Sequence, residues 1–321
     1  MNQPRVPITT DASEAAQRLR DGGLVVIPTE TVYGLGADAT QHDALERIYA
    51  VKGRPVGHPL ILHVADVNTA NEWADMSHPA AHALAIACWP GPLTMLLPRR
   101  NGVDDIITGG RDTVGIRVPA HPLTLSLLAQ HGGAIAAPSA NRFGRVSPTT
   151  VAHVLDDIGD ILDPERDLIL DGGPCDVGVE STIIDLTVDP PQILRPGGIP
   201  TEDIERILGA PTSSPEGPSR ASGMLPSHYA PVTPMRLVDD RSAAANAAHG
   251  INAIVIDRTD DLVDAARHLY DDLRSADQRN ADLIIAVMPP PIGLGHALRD
   301  RLTRAAAGRD QAHPNQDDSA P

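Results

Sequence analysis

Lysine is almost absent from this 321-residue chain: of 26 basic residues only residue 52 is lysine and the other 25 are arginine. Against 42 Asp and Glu these leave a formal charge of −16, which excludes a surface coated in nucleic acid. Aromatic residues are also few, with two Trp, four Tyr and one Phe, so any core must be built from Leu, Ile, Val and Ala. The two cysteines, Cys88 and Cys175, can supply neither a disulfide framework nor a four-thiolate zinc site. A reducing, cytoplasmic setting is expected. No stretch approaches the roughly 18 consecutive apolar residues of a membrane span, and Met1 to Thr10 lacks the apolar run of a signal peptide. The expectation is a soluble protein that is not exported and does not contact membrane.

What is present is an alternation of short apolar runs with amphipathic stretches. A helix entered at Asp11 with capping-box spacing to Glu14 precedes the strand Leu24 to Ile27. Further strands are expected at Leu60 to Val64, Leu93 to Leu97, Val114 to Val118, Ala134 to Ala137, Leu168 to Leu170, Ser181 to Leu186 and Gln192 to Leu194. Helices are expected near 41–51, 67–88, 121–130, 149–158 and 201–208. Such alternation predicts an α/β layer fold over residues 1–208. Over 209–234 six prolines interleave with Gly and Ser, a composition that continues neither helix nor central strand, so this segment reads as a linker. The pattern resumes over 235–308 with Ala253 to Ile256, a helix over 259–275, Leu283 to Val287 and a helix over 294–306, predicting a smaller α/β domain. The tail 309–321 is polar and reads as disordered.

Several familiar motifs fail on inspection. Gly34-Leu35-Gly36 resembles a dinucleotide fingerprint, but six residues separate it from Ile27 and no acid stands at the ribose position. A Walker loop needs Gly-Lys-Ser/Thr, and Lys52 is followed by Gly53. His78 and His82 have the i, i+4 spacing of a metal pair without a third ligand, so no metal site is expected. Arg142 with Arg145, and Arg299, Arg301 and Arg304, are the candidate basic patches, although basic residues spaced this way on helices usually form a solvated face.

The lone lysine stands in Val51-Lys52-Gly53-Arg54-Pro55, where an ammonium and a guanidinium together suit a polyphosphate. A single lysine surviving by chance in an arginine-biased chain is the alternative. Pro28-Thr29-Glu30-Thr31-Val32-Tyr33-Gly34 has the make-up of a loop whose backbone approaches a ligand, and strands end at His63, Arg117 and Ala137-Pro138-Ser139-Ala140-Asn141. Ligands of open α/β sheets bind outside strand ends. Recurring polar residues there point to one shared site.

Taken in order, Thr29 to Leu35, Lys52 to Pro55, Pro59 to His63, Pro90-Gly91-Pro92-Leu93-Thr94, Pro138 to Asn141, Glu180-Ser181-Thr182-Ile183-Ile184-Asp185 and Leu194-Arg195-Pro196-Gly197 resemble the YrdC-type family of L-threonylcarbamoyladenylate synthases. Gly223-Met224, His228-Tyr229-Ala230-Pro231 and Asp300-Arg301-Leu302-Thr303-Arg304 resemble its long, two-domain form. The resemblance implies a twisted mixed-sheet catalytic domain with a concave cleft, a linker passing over that cleft, and a smaller Rossmann-like domain. It implies that ATP, L-threonine and bicarbonate give threonylcarbamoyl-AMP and pyrophosphate, with Mg²⁺ accompanying ATP, as the first step of a tRNA modification. Contacts to tRNA and to downstream threonylcarbamoyl transferase proteins belong to the same expectation. By the family's pattern, Lys52 and Arg54 would carry catalysis. ATP would contact these two with His58, Thr113, Ser139, Asn141, Ser147, Arg195 and Tyr229, while threonine would contact Thr31, His63, Arg117, Ala137 and Ser181. His58 departs from the family's usual Asn, and Leu225-Pro226-Ser227 stands where many relatives carry basic residues. Two rivals are a non-catalytic double-stranded-RNA or tRNA-binding module, and the carbamoyl transferase of hydrogenase maturation, whose zinc fingers two cysteines cannot supply.

Overall fold

A computed structural model of the chain describes residues 5–214, 220, 221 and 228–307. In chain order the first part contains β1 (Ile8–Thr9), α1 (Ala12–Arg20), β2 (Val25–Ile27), β3 (Gly34–Asp38), α2 (His42–Lys52), β4 (Ile61–His63), α3 (Val67–Trp73), α4 (Pro79–Cys88) and β5 (Leu93–Pro98). It continues with α5 (Asp105–Thr108), β6 (Thr113–Arg117), α6 (Pro122–His131), β7 (Ile135–Ala136), α7 (Val151–Ile158), β8 (Leu168–Leu170), β9 (Thr182–Asp185), β10 (Gln192–Arg195) and α8 (Thr201–Leu208). The ten strands form one mixed sheet in the order β1-β8-β2-β3-β7-β4-β6-β5-β9-β10. The second part holds β11 (Met235–Val238), α9 (Arg241–Ala248), β12 (Ala253–Ile256), α10 (Leu262–Gln278), β13 (Leu283–Val287) and α11 (Gly295–Ala306). Its three strands run parallel in the order β11-β13-β12.

Local chemistry accounts for most boundaries. Asp11 caps α1 by accepting from the Ser13 amide at 2.8 Å. The helix expected over 67–88 is two helices, because Ala74 pairs with Arg99 and Pro79 can only begin a helix, with His78 as its cap. Strand β3 was not expected from Gly-Leu-Gly-Ala-Asp. It is buried throughout, and a Cβ at Gly36 would stand 2.8 Å from the Ile135 side chain, so glycine lets β2, β3 and β7 close up. The cores are mainly aliphatic, as the shortage of aromatics required, with Tyr33, Tyr49 and Trp89 buried among the aliphatic side chains.

The mixed topology places the site. His63 and Arg117 are register partners at the C-terminal ends of the parallel strands β4 and β6. Because β5 is antiparallel to β6 and parallel to β9, the starts of β5 and β9 lie along the same edge. The end of antiparallel β10 reaches it too. Residues along that edge thus come from strand starts as well as strand ends.

Candidate active site

A cavity opens along that edge, lined by Thr29, Thr31, Val32 and Gly34 from the β2–β3 loop, and by Arg54, Ile61, His63 and Arg117. Ala137, Pro138, Ser139, Glu180, Ser181, Arg195, His228 and Tyr229 complete it. Nine of the sequence candidates therefore converge: Thr31, Arg54, His63, Arg117, Ala137, Ser139, Ser181, Arg195 and Tyr229.

Five others do not line the cavity, each for a visible reason. Lys52 is buried, and its ammonium donates to the carbonyls of Ser139 and Asn141, both at 2.5 Å. Burial foremost, then the neighbouring Arg54, depresses its pKa well below that of an ordinary lysine. Asn141 donates to the carbonyls of Arg142 and Arg145, holding the loop beneath the site. Ser147 donates to Glu180 Oε1 at 2.6 Å. His58 packs its ring 5.5 Å from that of Phe143, outside the cavity wall. Thr113 starts β6, four residues and about 13 Å of strand from Arg117 at the other end. Gly223, Met224 and Leu225-Pro226-Ser227 of the expected linker, and the expected tail 309–321, lie outside the described residues.

Electrostatically the cavity is cationic, with its guanidiniums outnumbering the nearby carboxylates. Three guanidiniums, of Arg54, Arg117 and Arg195, reach it and are at most 8% exposed. Burial lowers Arg54 to about 10, which keeps it charged near neutrality. His63 is brought to about 3, chiefly by burial and then by Arg117, and its Nδ1 lies 3.2 Å from the Ile61 carbonyl. His228 is also brought to about 3, chiefly by burial. Both imidazoles are neutral at physiological pH.

Two carboxylates that sequence reasoning left without a role organise these groups. Glu30 lies 2.6 Å from Arg117, whose Nη1 donates to Thr31 Oγ1 at 2.9 Å and whose Nε donates to the Gly91 carbonyl at 3.2 Å. The Glu30 carboxylate also accepts from the Ala120 amide at 3.0 Å. Glu180 accepts from Ser147, from Tyr270 at 2.6 Å and from Arg301 at 2.7 Å, and is held at about 2 against the opposing cost of burial. Arg301 does not form part of a solvated basic patch. It has no exposed surface. The signal for Glu30 and Glu180 was their place inside the quoted motifs, but their partners are distant in sequence.

Arg195 donates to the Ser181 carbonyl at 2.8 Å and to Ser181 Oγ at 3.0 Å, while Thr94 and Ser181 share a 2.8 Å hydroxyl bond. Tyr229 takes a φ of 61°, unusual for a residue with a side chain, and turns its ring to 4.2 Å from that of His228. Among the described residues no group of three His, Cys, Asp or Glu could hold a metal ion. Nor is any helix there long and apolar enough to cross a membrane.

Comparison with known proteins identifies the family. The Sua5/yciO/yrdC family, described under telomere recombination, matches residues 17–197, and the threonylcarbamoyl-AMP synthase C-terminal domain matches residues 199–307. The threonylcarbamoyl-AMP synthase of Bacillus subtilis is 38% identical, over 92% of this chain and 93% of that protein. That of Pyrococcus abyssi is 39% identical, over 92% and 94%. The crystal structure of P. abyssi Sua5 complexed with L-threonine has a TM-score of 0.86 at 36% identity, covering 95% of this chain and 98% of that one. The chain belongs to the Sua5/YrdC family of threonylcarbamoyl-AMP synthases, in its two-domain form.

Proposed function

We propose that this cavity joins L-threonine, bicarbonate and ATP into threonylcarbamoyl-AMP. The observation that carries the reading is the meeting of three buried guanidiniums, a neutral histidine and the hydroxyls of Thr31, Ser139 and Ser181 in one pocket of a chain whose net charge is −16. Such a pocket suits one small zwitterion and one polyphosphate. An open basic strip would suit RNA better, yet Arg142 is tied to Asp160 and to the Asp157 carbonyl.

The chemistry follows from the groups. Threonine's amine, after losing a proton, adds to the carbon of CO₂ or bicarbonate to give a carbamate, with water released in the second case. A carbamate oxygen then attacks the α-phosphorus of ATP as the bond to the β-phosphate oxygen breaks, and pyrophosphate leaves. Nothing in this sequence needs a protein nucleophile. Positioning and charge stabilisation supply the rate. Arg117, preset by Glu30 and Thr31, would hold the threonine carboxylate, with Ser181 and the Ala137 backbone beside it. Neutral His63 adds no cation near an ammonium that must lose its proton. Arg54, Arg195, Ser139 and Tyr229 would face the nucleotide. Lys52 would act from below by fixing the Ser139–Asn141 turn, and Asn141, Ser147, His58 and Thr113 would contribute at greater remove. Mg²⁺ would arrive coordinated by ATP, since the protein presents no ligand cluster of its own among the described residues. The product, a reactive mixed anhydride, would pass to a transferase acting on tRNA in the cytoplasm.

The test is product formation: mass spectrometry of a reaction containing ATP, Mg²⁺, threonine and bicarbonate should show threonylcarbamoyl-AMP and an equal amount of pyrophosphate. ATP hydrolysis without that adduct would refute the proposal.

A further inference from the structure

Arg301 on α11 is the largest side chain with essentially no exposed surface, and a guanidinium is removed from water at a cost of several kcal/mol unless its donors are met. They are met largely outside its own helix. Nε donates to Glu180 Oε2 at 2.7 Å and Nη2 to the Pro196 carbonyl at 3.0 Å, while the guanidinium carbon stands 5.1 Å from the centre of the Tyr229 ring. Asp300 takes Nη1 at 2.5 Å. The three outside contacts fall on the paired ends of β9 and β10 and on the segment bearing Tyr229. Glu180 immediately precedes Ser181, Pro196 immediately follows Arg195, and Tyr229 lines the cavity directly. Tyr270 on α10 reinforces two of them, donating to Glu180 at 2.6 Å and stacking on Tyr229 at 5.8 Å.

We propose that Arg301 is a positioning residue for the reaction, and that through it the C-terminal domain forms part of the active site; this rests on the reading of the cavity given above. One planar fork ties the corner where Ser181 and Arg195 are already bonded to each other to the ring of Tyr229 and to the C-terminal domain. A lysine's compact point charge lacks the planar fork that meets a carboxylate, a carbonyl and a ring face in three fixed directions. The ion pair also offsets Glu180, the one carboxylate among the described residues that line the cavity, so the field facing a triphosphate stays positive. Stability alone gives little reason for this arrangement, because buried ion pairs are commonly replaced by apolar groups without loss.

The experiment uses the full chain at a temperature well below melting, comparing wild type with Arg301→Lys and Tyr270→Phe. Rates of threonylcarbamoyl-AMP formation give kcat and the two KM values, and calorimetry gives ATP and threonine affinities independently of turnover. Arg301→Lys should lose about tenfold or more in kcat/KM, with weakened ATP binding, and Tyr270→Phe should lose less in the same direction. Folded variants with wild-type kcat, KM and affinities would overturn the proposal, whatever their melting temperatures. If Arg301→Lys does not fold, Tyr270→Phe decides by the same criteria. A wild-type chain that binds neither substrate overturns this inference together with the functional reading, whereas equal binding and turnover in all three proteins overturns this inference alone.

Discussion

An ammonium that donates to two backbone carbonyls is fastened in place, and this changes what is expected of Lys52. Lys52→Ala should abolish most turnover, but it should also destabilise the fold by about 2–4 kcal/mol because two buried carbonyls lose their donor. Urea melting beside the product assay separates the two effects; a variant with full activity would remove Lys52 from the mechanism altogether. Arg117 makes the second case. Glu30→Gln leaves a neutral partner beside it, and threonine KM should rise about tenfold with ATP KM little changed, since the carboxylate that aims the guanidinium is lost. Unchanged KM for both substrates would show that Arg117 needs no aiming. Substitution of valine for threonine as substrate should also cost at least tenfold, because the polar wall of Thr31 and Ser181 would then face a methyl group in place of a hydroxyl. Finally, His63 and His228 each sit at about 3 in the folded chain against an ordinary value of 6.5. Below pH 6.5 the unfolded chain binds protons that the folded chain refuses, so stability present at neutral pH is lost as pH falls toward 3. Between pH 7.5 and 5.5 the two histidines should remove about 2–3 kcal/mol from the free energy of unfolding. Equal stability at the two pH values would mean that neither ring is buried neutral.

At the scale of elements, strand starts and ends were readable wherever an aliphatic run met a polar or proline residue, as at Leu93–Pro98 and Leu168–Leu170. Strand β3 escaped because its residues have poor strand propensity and owe their conformation to neighbours on both sides. The helices α5 and α9 and the strands β1 and β11 were missed for brevity or low apolar contrast. Of the site, the residues were legible and their partners were not: Glu30 meets Arg117, and Glu180 meets Arg301, across 87 and 121 positions that no local pattern connects. Contact between the two parts of the molecule is equally invisible in sequence. At Gly178, φ is +80° and a Cβ would stand 2.4 Å from the Ala266 carbonyl of α10. Gly178→Ala should therefore loosen α10 from the β8–β9 connection, seen as faster hydrogen exchange in both segments. Wild-type protection there would show that the contact tolerates a side chain.

For the molecule as a whole, the two α/β parts share apolar contact: Val32, Val146 and Val179 of the first pack with Tyr229 and with Leu269 and Tyr270 of the second. Cutting the chain after residue 210 would bare that patch and remove Tyr229, Tyr270 and Arg301 at once. The truncated protein should lose adenylate formation. Full activity after truncation would reduce the second part to an appendage. The central claim is that one cationic cavity performs adenylyl transfer to a carbamate, and its most direct test is isotopic. With ¹³C-bicarbonate and ¹⁸O in the bicarbonate oxygens, the intact chain should yield threonylcarbamoyl-AMP carrying the ¹³C, with ¹⁸O in the bridge between carbamoyl carbon and α-phosphorus. Unlabelled product, or AMP and pyrophosphate without any labelled adduct, would contradict it.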